Sequence, residues 1–216
     1  MKRTAFACVV FALLSYAAAQ WLTLDFKTWT AEGARRMEIA ARPLPAPPVD
    51  MEGPGVEART LAQLLSDEGA VTIVDFMYTR CVTVCAALGT AFQQMQSAIA
   101  SHERASSRSS RVRLLSITFD PEHDDPGVLA AYATRLQADP RIWRFARVVD
   151  SAKAGVGPRL LDHYQVTVIP DGLGGFEHNA ALLVVDPTGR LVRVFDYSDL
   201  DTALAFARAL ADRGAV

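Results

Sequence analysis

Val71-Thr72-Ile73-Val74-Asp75-Phe76 is a β-branched run that reads as a buried strand. After Met77-Tyr78-Thr79-Arg80 it delivers the chain to Cys81-Val82-Thr83-Val84-Cys85. Leu88, Phe92, Met95 and Ile99 then recur at helical spacing, which predicts an amphipathic helix ending near His102. A buried strand, a cysteine pair and a helix in that order make the start of an α/β unit. Thiols four residues apart lie on one face if they occupy the first turn of that helix, where they can share one ion or bond to each other. Unpaired N–H groups at a helix start, with Arg80 alongside, favour thiolate over thiol. Thiolates are soft ligands that suit Cu(I) and accept zinc. The plainer alternative is a permanent small-loop disulfide, although a loop this short removes little chain entropy.

Outward from this stretch, strands and helices alternate. Ser106 to Ser110 is a polar loop, Val112 to Thr118 a strand, Pro126 to Gln137 a helix and Phe145 to Val149 a short strand. A helix is expected around Pro158 to His163. Ala181 to Val185 and Leu191 to Phe195 make a hairpin across Asp186-Pro187-Thr188-Gly189, and Leu200 to Asp212 closes the chain as a helix. The expected fold class is α/β, a central mixed sheet flanked by helices. Gly172-Leu173-Gly174-Gly175 reads as a flexible turn rather than a phosphate cradle.

Upstream, Thr60 to Leu65 suggests a short helix, and Arg42-Pro43-Leu44-Pro45-Ala46-Pro47-Pro48 is proline-rich enough to stay extended. Residues 25–49 are expected to act as a tether, with the folded domain spanning 50–216. Met1-Lys2-Arg3 supplies a positive start to an apolar run, and Ala17-Ala18-Ala19 offers a cleavage site before Gln20, so residues 1–19 read as a signal peptide. The rival reading is a membrane anchor over 1–24, because Thr4 to Leu24 is an uncharged stretch of 21 residues. Either way the folded part is expected to be exported. Cys8 lies inside the apolar run and reads as a small apolar residue.

A length of 216 residues allows one ordinary domain plus a tail, and 50% hydrophobic residues can fill a core. With 22 basic and 24 acidic residues the net charge is −2, which excludes a basic nucleic-acid surface. Three cysteines are too few for a disulfide-dense scaffold.

The stretch Phe76 to Cys85 resembles the cysteine motif of the Sco/SenC family, copper-handling proteins of thioredoxin-like fold that serve cytochrome c oxidase assembly. Ser116-Ile117-Thr118-Phe119-Asp120-Pro121-Glu122-His123-Asp124-Asp125-Pro126 resembles the family's strand and Asp-Pro-x-x-Asp turn. Glu177-His178-Asn179, with Ala181 to Gly189 after it, resembles its His-bearing loop, strand and turn. The likeness covers roughly residues 70 to 212. Val82 and Ala86 stand where the family commonly has proline, which bears on helix entry and redox potential more than on the ligand set.

The resemblance implies that Cys81, Cys85 and His178 are ligands of Cu(I) or Cu(II). It makes Asp120 an outer partner of the site or a docking residue, beside the plainer reading of a carboxylate that caps the following turn. Asp124 is expected to cap the helix beginning at Pro126. His102, His123 and His163 are expected to be solvated. Two functions follow. One is a metallochaperone on the periplasmic side of the inner membrane, anchored or soluble, delivering copper to the CuA site of cytochrome c oxidase subunit II or to another exported cuproprotein. The other is a thiol–disulfide oxidoreductase that cycles Cys81 and Cys85, with a thiol reductant protein as its partner. The three-residue spacing of the cysteines favours the first, since thioredoxin-type redox pairs have two residues between them.

Overall fold

The computed structural model describes residues 2–23, 25–26, 28–66, 69–81, 84–107, 109–149, 156–172 and 174–213; the side chains at 58, 84–87, 156 and 158 lie outside that description. Two compact units divide the chain, Met1–Arg42 and Pro43–Val216.

The first unit holds two helices. α1 (Lys2–Leu22) is long and apolar enough to cross a membrane and buries none of its residues. α2 (Ala31–Ala41) lies inside the segment expected to be a tether. Its N-cap is Thr30, whose hydroxyl accepts from the Gly33 N–H at 3.0 Å, and Glu32 pairs with Arg35 at 2.9 Å and Arg36 at 3.0 Å. The capping threonine and the i,i+3 and i,i+4 charge pairs are local signals for this helix.

The second unit is built on an eight-stranded sheet. Its strands are β1 (Leu44–Pro45), β2 (Asp50–Gly53), β3 (Val56–Thr60), β4 (Val71–Met77), β5 (Val112–Thr118), β6 (Trp143–Val148), β9 (Ala181–Val185) and β10 (Arg190–Asp196), in spatial order β1-β10-β9-β4-β5-β6-β2-β3. β7 (Val168–Pro170) and β8 (Phe176–His178) form a separate two-stranded ribbon. β4, β5 and β6 are parallel neighbours, while β9 joins β4 antiparallel and β2 joins β6 antiparallel, so the sheet is mixed as expected. Because β1 already pairs with β10, this unit begins at Pro43, ahead of the expected start near residue 50.

Helices cover both faces of the sheet. α4 (Val84–Ser106) returns the chain from β4 to β5, and α5 (Pro126–Arg135) returns it from β5 to β6, the crossovers that parallel pairing requires. Val71, Ile73 and Met77 of β4 share a core with Leu88, Phe92, Met95 and Ile99 of α4, and with Ala203, Leu204 and Ala207 of α7 (Leu200–Arg213). The predicted helical stripe is thus the buried face of α4. On the opposite face, Phe76 meets Tyr164, at the end of α6 (Val156–His163), with ring centroids 6.0 Å apart. α3 (Leu61–Ser66) falls where the sequence suggested.

Two differences from expectation are local. α4 runs on to Ser106, past the expected end near His102, with the Ser106 hydroxyl donating to the His102 carbonyl at 2.8 Å. The β2–β3 hairpin was not foreseen, although Pro54-Gly55 marks its turn. Gly53 is required there, since a Cβ would lie 2.1 Å from the Phe145 carbonyl oxygen.

Candidate metal centre

β4 and β5 run in register from Val71 beside Val112 to Met77 beside Thr118, so they end together. The loops that follow them, 78–81 and 119–124, therefore lie side by side at the carboxyl end of the parallel strands, the usual place for chemistry in such sheets.

Carboxylates on the second loop hold the first. Asp124 is fully buried and accepts from the Thr79 N–H at 3.0 Å, the Thr79 hydroxyl at 2.5 Å and the Thr118 hydroxyl at 2.5 Å. It is not the helix cap expected of it. That role falls to Asp125, whose side chain accepts from the Val128 N–H at 2.8 Å, because the N-cap immediately precedes the first helical residue, Pro126. Asp120 pairs with Arg80 at 2.8 Å and with His123 Nδ1 at 2.9 Å. Its carboxylate holds the Arg80 guanidinium above its ordinary pKa. The turn that follows is made by its backbone carbonyl, which accepts from the N–H groups of His123 and Asp124.

Cys81 follows directly, buried, with its N–H donating to the Tyr78 carbonyl at 3.3 Å. Cys81 is not helical, and α4 is described from Val84 onward, so Cys81 stands ahead of the helix that carries Cys85. Cys85 is the second residue of α4, and its side chain lies outside the described ones. Among the described residues no three His, Cys, Asp or Glu side chains come together as a metal cluster.

His178 ends β8, the second strand of the separate ribbon, and lies edge-on to Phe119 with ring centroids 5.1 Å apart. Burial pushes its pKa down, which favours the neutral imidazole that can act as a ligand. Phe119 also meets Phe176 at 5.7 Å and Tyr78 at 5.2 Å, so one aromatic group touches both the cysteine loop and the His-bearing strand. Sequence reasoning missed Tyr78, Phe119 and Phe176. The available signal was an aromatic placed shortly before Cys81, Asp120 and His178 respectively. His102 and His123 are exposed, as expected, whereas His163 lies 2.7 Å from the Pro45 carbonyl.

A further buried group lies beneath this site. Asp75, in the middle of β4, is 2% exposed; among the described residues its Oδ1 has no hydrogen-bond partner, and burial raises its pKa to about 7 against the lowering effect of the Ser116 hydroxyl. Ser116 in turn accepts from the Trp143 indole N–H at 2.9 Å.

Residues 65–211 match the SCO1/SenC family. A SCO1 protein homolog of Bacillus subtilis is 24% identical over 139 residues, covering 64% of this chain and 67% of the relative. The structure of BsSco, described as a member of the Sco family of cytochrome c oxidase assembly proteins with a disulfide switch, superposes with a TM-score of 0.63 at 18% identity, over 79% of this chain and 95% of BsSco. ScoI of Arabidopsis thaliana with copper bound gives 0.62 at 15% identity, over 78% and 98% of the two chains. The mixed sheet with flanking helices is thioredoxin-like, and the chain belongs to the SCO1/SenC family.

Proposed function

We propose that this chain is an exported copper-binding protein that delivers copper to the CuA site of cytochrome c oxidase subunit II during assembly. The observation that carries this reading is that the loop running from Tyr78 to Cys81 and the strand ending in His178 meet at one aromatic group at the end of the parallel strands. The donor types fit copper: thiolates from Cys81 and Cys85 suit Cu(I), and the imidazole of His178 completes a three-coordinate set for Cu(I) or Cu(II) with one side open for transfer. Loading releases the thiol protons, so affinity rises with pH. Asp120 acts one step out, holding Arg80, the residue directly before Cys81. The copper-bound ScoI relative and the oxidase-assembly description of BsSco support the cargo and the recipient. α1 serves as a cleaved signal (1–19) or an anchor (1–24), and the folded domain works on the periplasmic side of the inner membrane.

A second reading is favoured by the disulfide switch of BsSco: Cys81 and Cys85 exchange with the cysteines of CuA and reduce them before the metal arrives. Anaerobic titration of the reduced full chain in detergent, alongside Cys81→Ser and His178→Ala, tests the first reading. It expects a single tightly held copper, a sulfur-to-copper charge-transfer band that vanishes in Cys81→Ser, and an altered band in His178→Ala. Loaded chain mixed with reduced apo CuA domain should then develop the CuA spectrum. Absence of binding, with reduction of an oxidised CuA domain instead, rejects delivery in favour of thiol exchange.

A further inference from the structure

Among the described residues the β7–β8 ribbon that carries His178 pairs with no strand of the main sheet, so other contacts set the position of the imidazole arm. Its hydrogen-bond pattern shows where such a contact can act. Asp171 N–H donates to the Gly175 carbonyl at 3.0 Å and Asn179 N–H to the Thr167 carbonyl at 3.3 Å. In the antiparallel register these bonds make Ile169 and Glu177 the hydrogen-bonded pair. Pro170 and Phe176 form a non-bonded pair, as do Val168 and His178. The N–H and C=O of Phe176 therefore point away from β7, toward whatever lies beside β8.

A single hydroxyl meets both. Tyr78 Oη accepts from the Phe176 N–H at 3.1 Å and donates to the Phe176 carbonyl at 3.4 Å, taking the place a neighbouring strand would occupy. The Tyr78 ring packs edge-on against Phe176 at 5.3 Å and tilted against Phe119 at 5.2 Å, and Phe119 backs His178. Gly175 keeps the approach open, since a Cβ there would lie 3.0 Å from the Tyr78 oxygen and 2.6 Å from Asp171 Oδ2. At its other end, Tyr78 accepts the Cys81 N–H on its own carbonyl. One residue thus bonds by its backbone to the thiol arm and by its side chain to the strand bearing the imidazole.

We propose that Tyr78 is a positioning residue for His178, a clamp that fixes the imidazole arm relative to Cys81; the proposal rests on the copper reading above and adds to it the group that sets ligand geometry. Tyr78→Phe keeps the ring and removes only the hydroxyl, leaving both Phe176 backbone groups without that partner. The test compares the full chain in detergent with Tyr78→Phe, His178→Ala and the double variant, by Cu(II) affinity and charge-transfer spectrum, with exchange of the Phe176 amide read in the metal-free protein. Tyr78→Phe should weaken Cu(II) binding by roughly five- to thirtyfold, on the order of one or two lost hydrogen bonds. Its spectrum should move toward that of His178→Ala, and its Phe176 amide should exchange faster. In the double variant the affinity should match His178→Ala alone, because the clamp acts only through that imidazole. Gly175→Ala, which crowds the same hydroxyl while leaving it present, should shift the spectrum in the same direction. Copper binding in Tyr78→Phe equal to the parent, or a loss that adds in full to that of His178→Ala, overturns the clamp while leaving the copper reading intact. A parent chain that binds no copper overturns both.

Discussion

Replacing Asp75 by asparagine should make this protein more stable in mild alkali and change it little in acid. The carboxyl lies in the middle of β4 at 2% exposure, with Oδ1 unpartnered among the described residues, and burial raises its pKa from 3.8 to about 7. In the unfolded chain it ionises near the lower value. Between the two, the folded protein holds a proton that the unfolded chain has lost, so this group's contribution is fully present below pH 3.8 and is lost as pH rises through about 7. Three pKa units at about 1.4 kcal/mol each give a loss of about 4 kcal/mol between pH 4 and pH 8. Asparagine has nearly the same shape and no charge to bury at any pH, so it escapes that loss. Urea unfolding of both full-length chains from pH 4 to pH 8 measures the effect, and their difference cancels every other titrating group. The asparagine variant should gain about 4 kcal/mol on the parent across that range. A pH-independent difference, or a parent that is the more stable at pH 8, would show that Asp75 is charged in the folded protein.

Three further outcomes follow from the geometry. Asp124→Ala removes the acceptor of three hydrogen bonds from Thr79 and Thr118, and should destabilise the chain by about 3–5 kcal/mol in urea unfolding, with Asp124→Asn milder; a loss under about 1 kcal/mol would contradict the anchoring of the cysteine loop. The imidazole of His178 should titrate below 6.5 when followed by proton NMR of the metal-free protein, whereas a midpoint at or above that value would mean that the ring is solvated. Gly53→Ala forces a Cβ against the Phe145 carbonyl and should lower the melting temperature by several degrees, while an unchanged melting temperature would refute the close approach of β2 to β6.

The parts of the fold that could be read from sequence are those whose signal is a long apolar pattern. Val71 to Phe76 and Val112 to Thr118 are runs rich in β-branched and aliphatic residues, and both became central strands. The stripe from Leu88 to Ile99 became the buried face of α4. The ribbon of Val168–Pro170 and Phe176–His178 was not readable, because three residues per strand carry no periodicity and one of them is proline. In the site, the residue types were legible through their resemblance to a family, while the supporting contacts were not. Asp124 and Asp125 are chemically alike and adjacent, and only the fold decides that one caps a helix while the other is sealed under the cysteine loop. Asp75 is the one charged residue of β4, but its side of the sheet and the lack of a partner for its Oδ1 among the described residues depend on register. Tyr78 could be counted as core by composition, yet its hydroxyl finds a backbone 98 residues away.

The two margins of the large sheet bear on how this protein behaves in a crowd. A margin strand normally offers a row of free amides and carbonyls onto which another chain can add, and repeated addition leads to fibres. Here one margin is β1, two residues long, and its Pro45 has no amide to offer. The other is β3, five residues in which Glu57 and Arg59 bring opposite charges to the same short strand. Growth from either side is blocked by chemistry local to that strand, which leaves the molecule free to meet other proteins through its loops instead of its backbone.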